Sequence, residues 1–163
     1  MAVISIAEPA IVAARPRRAV SRAANRRCRA RKRISCRVLA AIGALRKSTP
    51  VQCAAHYERL SNTLLDMHAV IARSGSEVVG CGQLMVDDGL AAIYDMVTAV
   101  DFRGRGLATS IVAFLLNHAA RMGAAHAFLQ VNADNAPARA VYAKFGFATL
   151  YTYHYRARAS ECF

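Results

Sequence analysis

The run from Ile93 to Phe147, IYDMVTAVDFRGRGLATSIVAFLLNHAARMGAAHAFLQVNADNAPARAVYAKFGF, restricts the fold more than any other stretch of this chain. Apolar residues first crowd together, then recur at helical spacing, then crowd again, and glycines or Asn/Pro pairs mark each change. The run reads as a strand, a Gly/Arg turn, an amphipathic helix, a second strand, an Asn-bearing loop and a short helix. Strand, helix and strand in succession imply a right-handed crossover and a parallel strand pair. The turn carries the chemical signal. Glycines there admit positive φ, the helix that follows presents unpaired N–H groups, and arginines stand on both sides, which together make an anion site.

The flanking elements complete a sheet. MHAVIAR (67–73), EVVGCGQLMV (77–86) and LAAIYDMVT (90–98) read as three strands joined by SGS and by DDG, the second a strong hairpin turn because Gly89 tolerates positive φ. Consecutive strands on short polar turns form an antiparallel meander. Leu107, Ile111, Leu115, His118/Ala119 and Met122 mark one face of a helix ending near Gly123. HAFLQV (126–131) is a mostly apolar strand, suited to a sheet covered on both faces. A helix over 137–144 begins at Pro137, and ATLYTYHYR (148–156) reads as the last strand. Upstream, 52–66 is an amphipathic helix with Cys53, Tyr57, Leu60 and Leu64 on its apolar face, and RVLAAIGALR (37–46) is a short helix weakened by Gly43 by about 1 kcal/mol. The fold class is α/β, a mixed and mainly antiparallel sheet flanked by helices.

Charge divides the chain. Residues 9–57 hold thirteen Lys/Arg and no Asp or Glu, whereas residues 58–163 hold nine of each sign. The formal net charge of +12 therefore belongs to the N-terminal stretch, over a near-neutral body. Three readings of residues 1–50 stay open: a disordered or loosely helical extension, an organellar targeting peptide, or a basic arm that meets nucleic acid or anionic membrane through residues 15–47. The second domain is residues 51–163. The five cysteines form no close pair and no metal-ligand spacing, which points to a reducing, cytoplasmic setting and to no bound metal.

DFRGRGLA (101–108) differs from the dinucleotide-binding fingerprint in spacing and from a P-loop in lacking the Lys-Ser/Thr pair. With NADNAPARAVYAKFGF downstream, it gives the stretch from about residue 67 to 156 a specific resemblance to the GCN5-related N-acetyltransferase (GNAT) family. That family's acetyl-CoA signature, Arg/Gln-x-x-Gly-x-Gly/Ala, falls on Arg103, Gly106 and Ala108, and its second signature falls on Asn135, Ala138, Tyr142 and Gly146-Phe147. The resemblance implies acetyl-CoA as co-substrate, held by its diphosphate at Arg103, Gly104, Arg105, Gly106, Leu107 and Ala108. It also implies a bulged strand that splays from its parallel neighbour, so that the pantetheine arm pairs with the strand edge around Met96, Val97 and Val100. Asn135 would bond the same arm, and the Tyr142 hydroxyl would protonate the departing thiolate.

The implied reaction is direct transfer of an acetyl group to a primary amine, with no covalent enzyme intermediate. The amine must lose a proton before it attacks, and a base must take that proton directly or through water. Asp95 is the first candidate, with Glu77, His68 and His154 behind it. N–H groups near Val97 would polarise the thioester carbonyl. Plainer roles stand beside these: Tyr142 as a core tyrosine, Asn135 as a helix cap, Asp95 as a solvated strand residue, and Cys81 as core. The family's usual first strand and helices should precede residue 67, where only AVISI (2–6) offers a strand. The N-terminal part is thus either highly divergent or foreign to the domain, and in the second case a partner subunit such as a homodimer partner would complete the acceptor pocket, or the protein would be inactive. The rival reading is an inactive CoA-binding remnant, or a protein associated with nucleic acid or membrane through the basic N-terminal arm.

Overall fold

The computed structural model describes residues 3–5, 9–14, 36–65, 67–154 and 156–158. The meander is built as the turn chemistry dictates. Strands β3 (Met67–Ser74), β4 (Glu77–Asp87) and β5 (Leu90–Thr98) pair antiparallel in that order. Asp88 and Gly89 both have positive φ, 43° and 76°, the conformation of a two-residue hairpin whose twist matches its strands.

Helix α3 (Leu107–Arg121) then crosses over to β6 (His126–Asn132), which lies parallel to β5. Helix α4 (Ala136–Ala143) and strand β7 (Ala148–Thr152) follow. The six-stranded sheet has the order β3-β4-β5-β6-β2-β7, where β2 is Pro9–Ala14. This upstream strand runs antiparallel to both β6 and β7. Its proline stands at the first position, where a missing ladder N–H costs least.

Alternation along β4 assigns the helices to opposite faces. A Cβ built on Gly80 or Gly82 would meet Ile111 of α3, so these positions must be glycine for the helix to lie close. Cys81, between them, packs instead with Val38 and Ile42 of α1 (Cys36–Arg46). Helix α2 (Pro50–Ser61) continues from α1 and opens with a capping box formed by Thr49 and Gln52. The larger core lies on the α3 side, where Leu84, Ile93, Val112, Leu115, Leu129 and Phe147 are buried together.

Three expectations need correction. The last strand was expected over 148–156, but β7 ends at Thr152; β8 (Arg156–Arg158) pairs apart from the main sheet with β1 (Val3–Ser5). The strand expected at 2–6 accordingly does not join the main sheet, whereas Pro9–Ala14 does. The apolar face of α2 is also rotated from the one expected. Leu60 is buried, but Tyr57 is 50% exposed, and Leu64 lies beyond the helix end at 88% exposed. His56 turns inward in their place because a carboxylate on β5 receives it. The densest basic segment, ANRRCRARKR (24–33), lies outside the described residues.

Candidate active site

The site begins where β5 stops behaving as an ordinary strand. Cys81 pairs with Val97 and Gln83 with Tyr94, so the single residue Gly82 faces both Asp95 and Met96. That is a β-bulge, and Asp95 takes the left-handed conformation at its centre, with φ 50°. Gly82 makes room for it, because a Cβ there would lie 2.6 Å from the Met96 sulfur.

The bulge also opens the sheet. β5 and β6 are paired from Leu90↔His126 to Ile93↔Leu129, and beyond that point both strands continue without pairing to each other. The result is a fork, with one edge of β5 unbonded from Tyr94 onward. Below it, Met96 packs into the α3-side core and Val97 into the α1-side cluster.

Past the fork, a short 3₁₀ turn (Val100–Phe102) carries the chain to the head of α3. Val100 is 66% exposed beside the open edge. Gly104 and Gly106 have φ 72° and 79°, and apart from the adjoining residues nothing lies within 4 Å of the space a Cβ would fill at either. Gly106 is the cap residue of α3 and offers no side-chain bond, so the first N–H groups of the helix stay unpaired by any cap. Arg103 Nε donates to the Thr98 carbonyl at 3.4 Å, and the Arg105 guanidinium lies 5.1 Å from the Phe102 ring centroid. Leu107 packs into the core and Ala108 is half-buried on the first turn. An open backbone cradle beside two arginines and a helix N-terminus suits a diphosphate, and an unbonded strand edge suits a linear amide.

Asn135 caps α4, its Oδ1 accepting from the Ala138 N–H at 3.2 Å, which leaves its amide N–H donors unused by the cap. Tyr142, one helix length on, is 7% exposed and meets Phe147 edge-on at 5.9 Å between centroids. Burial raises its hydroxyl above the ordinary tyrosine value, so the phenol keeps its proton at neutral pH. It lines an open groove of about 340 Å³ with Arg139, Phe147 and Thr149.

On the other side of the sheet, Asp95 is held by two groups the sequence did not single out. Arg46 at the end of α1 reaches Oδ1 at 3.0 Å, and His56 of α2 reaches Oδ2 at 2.9 Å. The His56 contact is close but lies off the line of an N–H···O bond. Both Asp95 and His56 side chains are 13% exposed. Only the basic last turn of α1 hinted at Arg46.

The other base candidates stand elsewhere. His68 on β3, two strands from β5, accepts or donates at 3.1 Å to His118 of α3. Glu77 is exposed at the β3–β4 turn, and His154 is exposed beyond β7. Cys81 is fully buried, and burial pushes its thiol up to about 11, against a lowering by Arg46 and a further raising by Asp95. A thiol so held is not a nucleophile at neutral pH. Among the described residues no group of three or more His, Cys, Asp or Glu could hold a metal, and no helix is long and apolar enough to cross a membrane.

Comparison with known proteins agrees with this geometry. A model described as the Acetyltransferase (GNAT) family matches residues 40–147. An uncharacterised N-acetyltransferase, YobR, of Bacillus subtilis (strain 168) is 35% identical over 77 residues, 47% of this chain and 31% of that protein. A mycothiol acetyltransferase of Streptomyces bingchenggensis (strain BCW-1) is 38% identical over 84 residues, 50% of this chain and 27% of its own length. The match thus spans about a third or less of either relative. Among solved structures, a GNAT-family acetyltransferase from Colwellia psychrerythraea superposes with a TM-score of 0.65 at 15% identity, covering 95% of this chain and 57% of that one.

Proposed function

Because the chain belongs to the GNAT family of acetyltransferases, we propose that it transfers the acetyl group of acetyl-CoA directly to a primary amine. The observation that carries this reading is the fork, with the uncapped, glycine-lined head of α3 directly below it. The residues fit the co-substrate. The open space over Gly104 and Gly106 leaves room for a diphosphate, with Arg103 and Arg105 beside it and the N–H groups of Leu107 and Ala108 below. The free β5 edge across Met96, Val97 and Val100 suits the amides of the pantetheine arm, and the spare donors of Asn135 suit its far side.

Bound acetyl-CoA would supply an activated acyl thioester. The chain's own residues then have three tasks. The N–H groups at the bulge, fixed by the Asp95 conformation, stabilise negative charge on the carbonyl oxygen. Tyr142 keeps a proton ready for the departing sulfur. The carboxylate of Asp95 serves removal of the amine proton from the α1–α2 side. Positioning of the amine against the thioester provides much of the rate.

Calorimetry with acetyl-CoA and turnover with a panel of a polyamine, a free amino acid and peptides with a free N-terminus or lysine test the proposal. Gly106→Val should weaken acetyl-CoA binding at least tenfold, since valine strains at φ 79° and fills the cradle. Wild-type affinity in that variant, or no binding by the native chain, would overturn the reading.

A further inference from the structure

We infer that His56 is the group that takes the proton from the acceptor amine, with Asp95 orienting its ring and Arg46 holding Asp95. The inference rests on the transferase reading above and assigns the base within it.

The geometry leaves Asp95 unsuited to the task by itself. Its Oδ1 faces Arg46 at 3.0 Å and its Oδ2 faces His56 at 2.9 Å, so an incoming amine would have to share either oxygen with a group already held there. Its backbone is fixed by the bulge, and the Cys81 thiol lies 3.9 Å from its carbonyl oxygen. Everything about this carboxylate is anchored. What it anchors is an imidazole.

A carboxylate beside Nε2 favours the tautomer with its proton on Nε2, which leaves the lone pair on Nδ1. Nε2 is sealed from solvent against Asp95, whereas Nδ1 is not sealed and has no partner among the described residues. The ring therefore presents a free basic nitrogen beside the fork, on the face of the sheet opposite α3. Tyr142 belongs to the core cluster on the α3 face. The proton-accepting and proton-donating groups thus stand on opposite faces of the sheet. Gln83, on the same face of β4 as Cys81, is fully buried with neither amide atom bonded, a further polar group turned to that side.

The amine nitrogen forms a bond to the thioester carbonyl carbon as the carbon–sulfur bond breaks. The N–H proton passes to His56 Nδ1, and the Tyr142 hydroxyl proton passes to the sulfur. The imidazolium then releases its proton to solvent and the phenolate regains one, so the products are an amide and a free thiol.

Charged and titratable groups facing His56 are Arg46 from α1, Asp95 from β5 and, behind Asp95, Cys81 from β4. The test compares the native chain with His56→Gln, His56→Ala and Asp95→Asn on the amine panel above. His56→Gln should lose about 10²-fold or more in kcat. Its acetyl-CoA affinity should stay unchanged by calorimetry, and the acid limb of its kcat/KM profile should flatten. Added imidazole should restore part of the His56→Ala rate, and Asp95→Asn should lose rate while keeping an acid limb. Near-native kcat in His56→Gln overturns the inference and leaves the transferase reading intact. So does loss of acetyl-CoA binding and near-UV circular dichroism in both His56 variants, which marks a structural role. A native chain that acetylates no amine overturns both.

Discussion

Tyr142 and Gln83 are buried side chains with polar atoms whose surroundings decide what they can do. Tyr142 keeps its proton because burial disfavours the phenolate, and a proton kept is one that can be given to a leaving thiolate. Tyr142→Phe should therefore slow acetyl transfer by about 10²-fold while acetyl-CoA affinity holds. Unchanged kcat would return Tyr142 to a packing role against Phe147. Gln83 presents the opposite problem, an amide at zero exposure with no hydrogen bond. Such a group forfeits its hydration without return, so Gln83→Met, close in volume, should raise stability by about 1 kcal/mol or more in urea unfolding. A destabilised variant would show that the amide is satisfied in solution. Neither environment is visible in the sequence, where Gln83 is one polar letter inside an apolar strand.

At the scale of elements, the short helix α1 carries a glycine that propensity alone counts against it. A Cβ on Gly43 would come within 2.8 Å of the Cys53 sulfur on α2, so the glycine lets the two helices approach. Gly43→Ala should destabilise the native chain despite a helix-propensity gain of about 1 kcal/mol, and should stabilise a Cys53→Ala background. Thermal unfolding of the four proteins of that cycle reads the sign in each case, and additivity would remove the close approach as the reason. The elements themselves were largely legible. The DG hairpin, the strand–turn–helix around RGRG and the Asn135 cap follow from local backbone chemistry and emerged where expected. The inward face of α2 did not, because it depends on a partner 39 residues away: His56 meets Asp95.

Across the whole molecule, the His68–His118 contact couples folding to pH. On the α3 side His118 bonds His68, and burial, then His68, then Arg121 hold its imidazole below the ordinary value of 6.5. The folded chain then binds that proton less readily than the unfolded chain does. Stability should rise with pH through the window just below the ordinary histidine value and fall as pH drops through it. The melting temperature should decline between about pH 7 and pH 5, and His118→Gln should remove part of that slope. An equal slope in the variant would assign the effect to other groups.

Local sequence and tertiary packing decide different parts of this molecule. Hydrophobic period, glycine at positive φ and helix caps act within a few residues, so the meander, the crossover and the glycine-lined head of α3 could be read from the chain alone. Three features could not. The slot that Pro9–Ala14 takes between β6 and β7 brings together segments more than a hundred residues apart. The length of the fork depends on where pairing stops at Ile93 and Leu129. The gathering of Arg46, His56 and Asp95 joins three elements at a bulge. Such contacts are decided by which faces pack together, and no local spacing encodes that choice. The glycine turn was therefore written in the sequence, and the cluster of Arg46, His56 and Asp95 was made only by the fold.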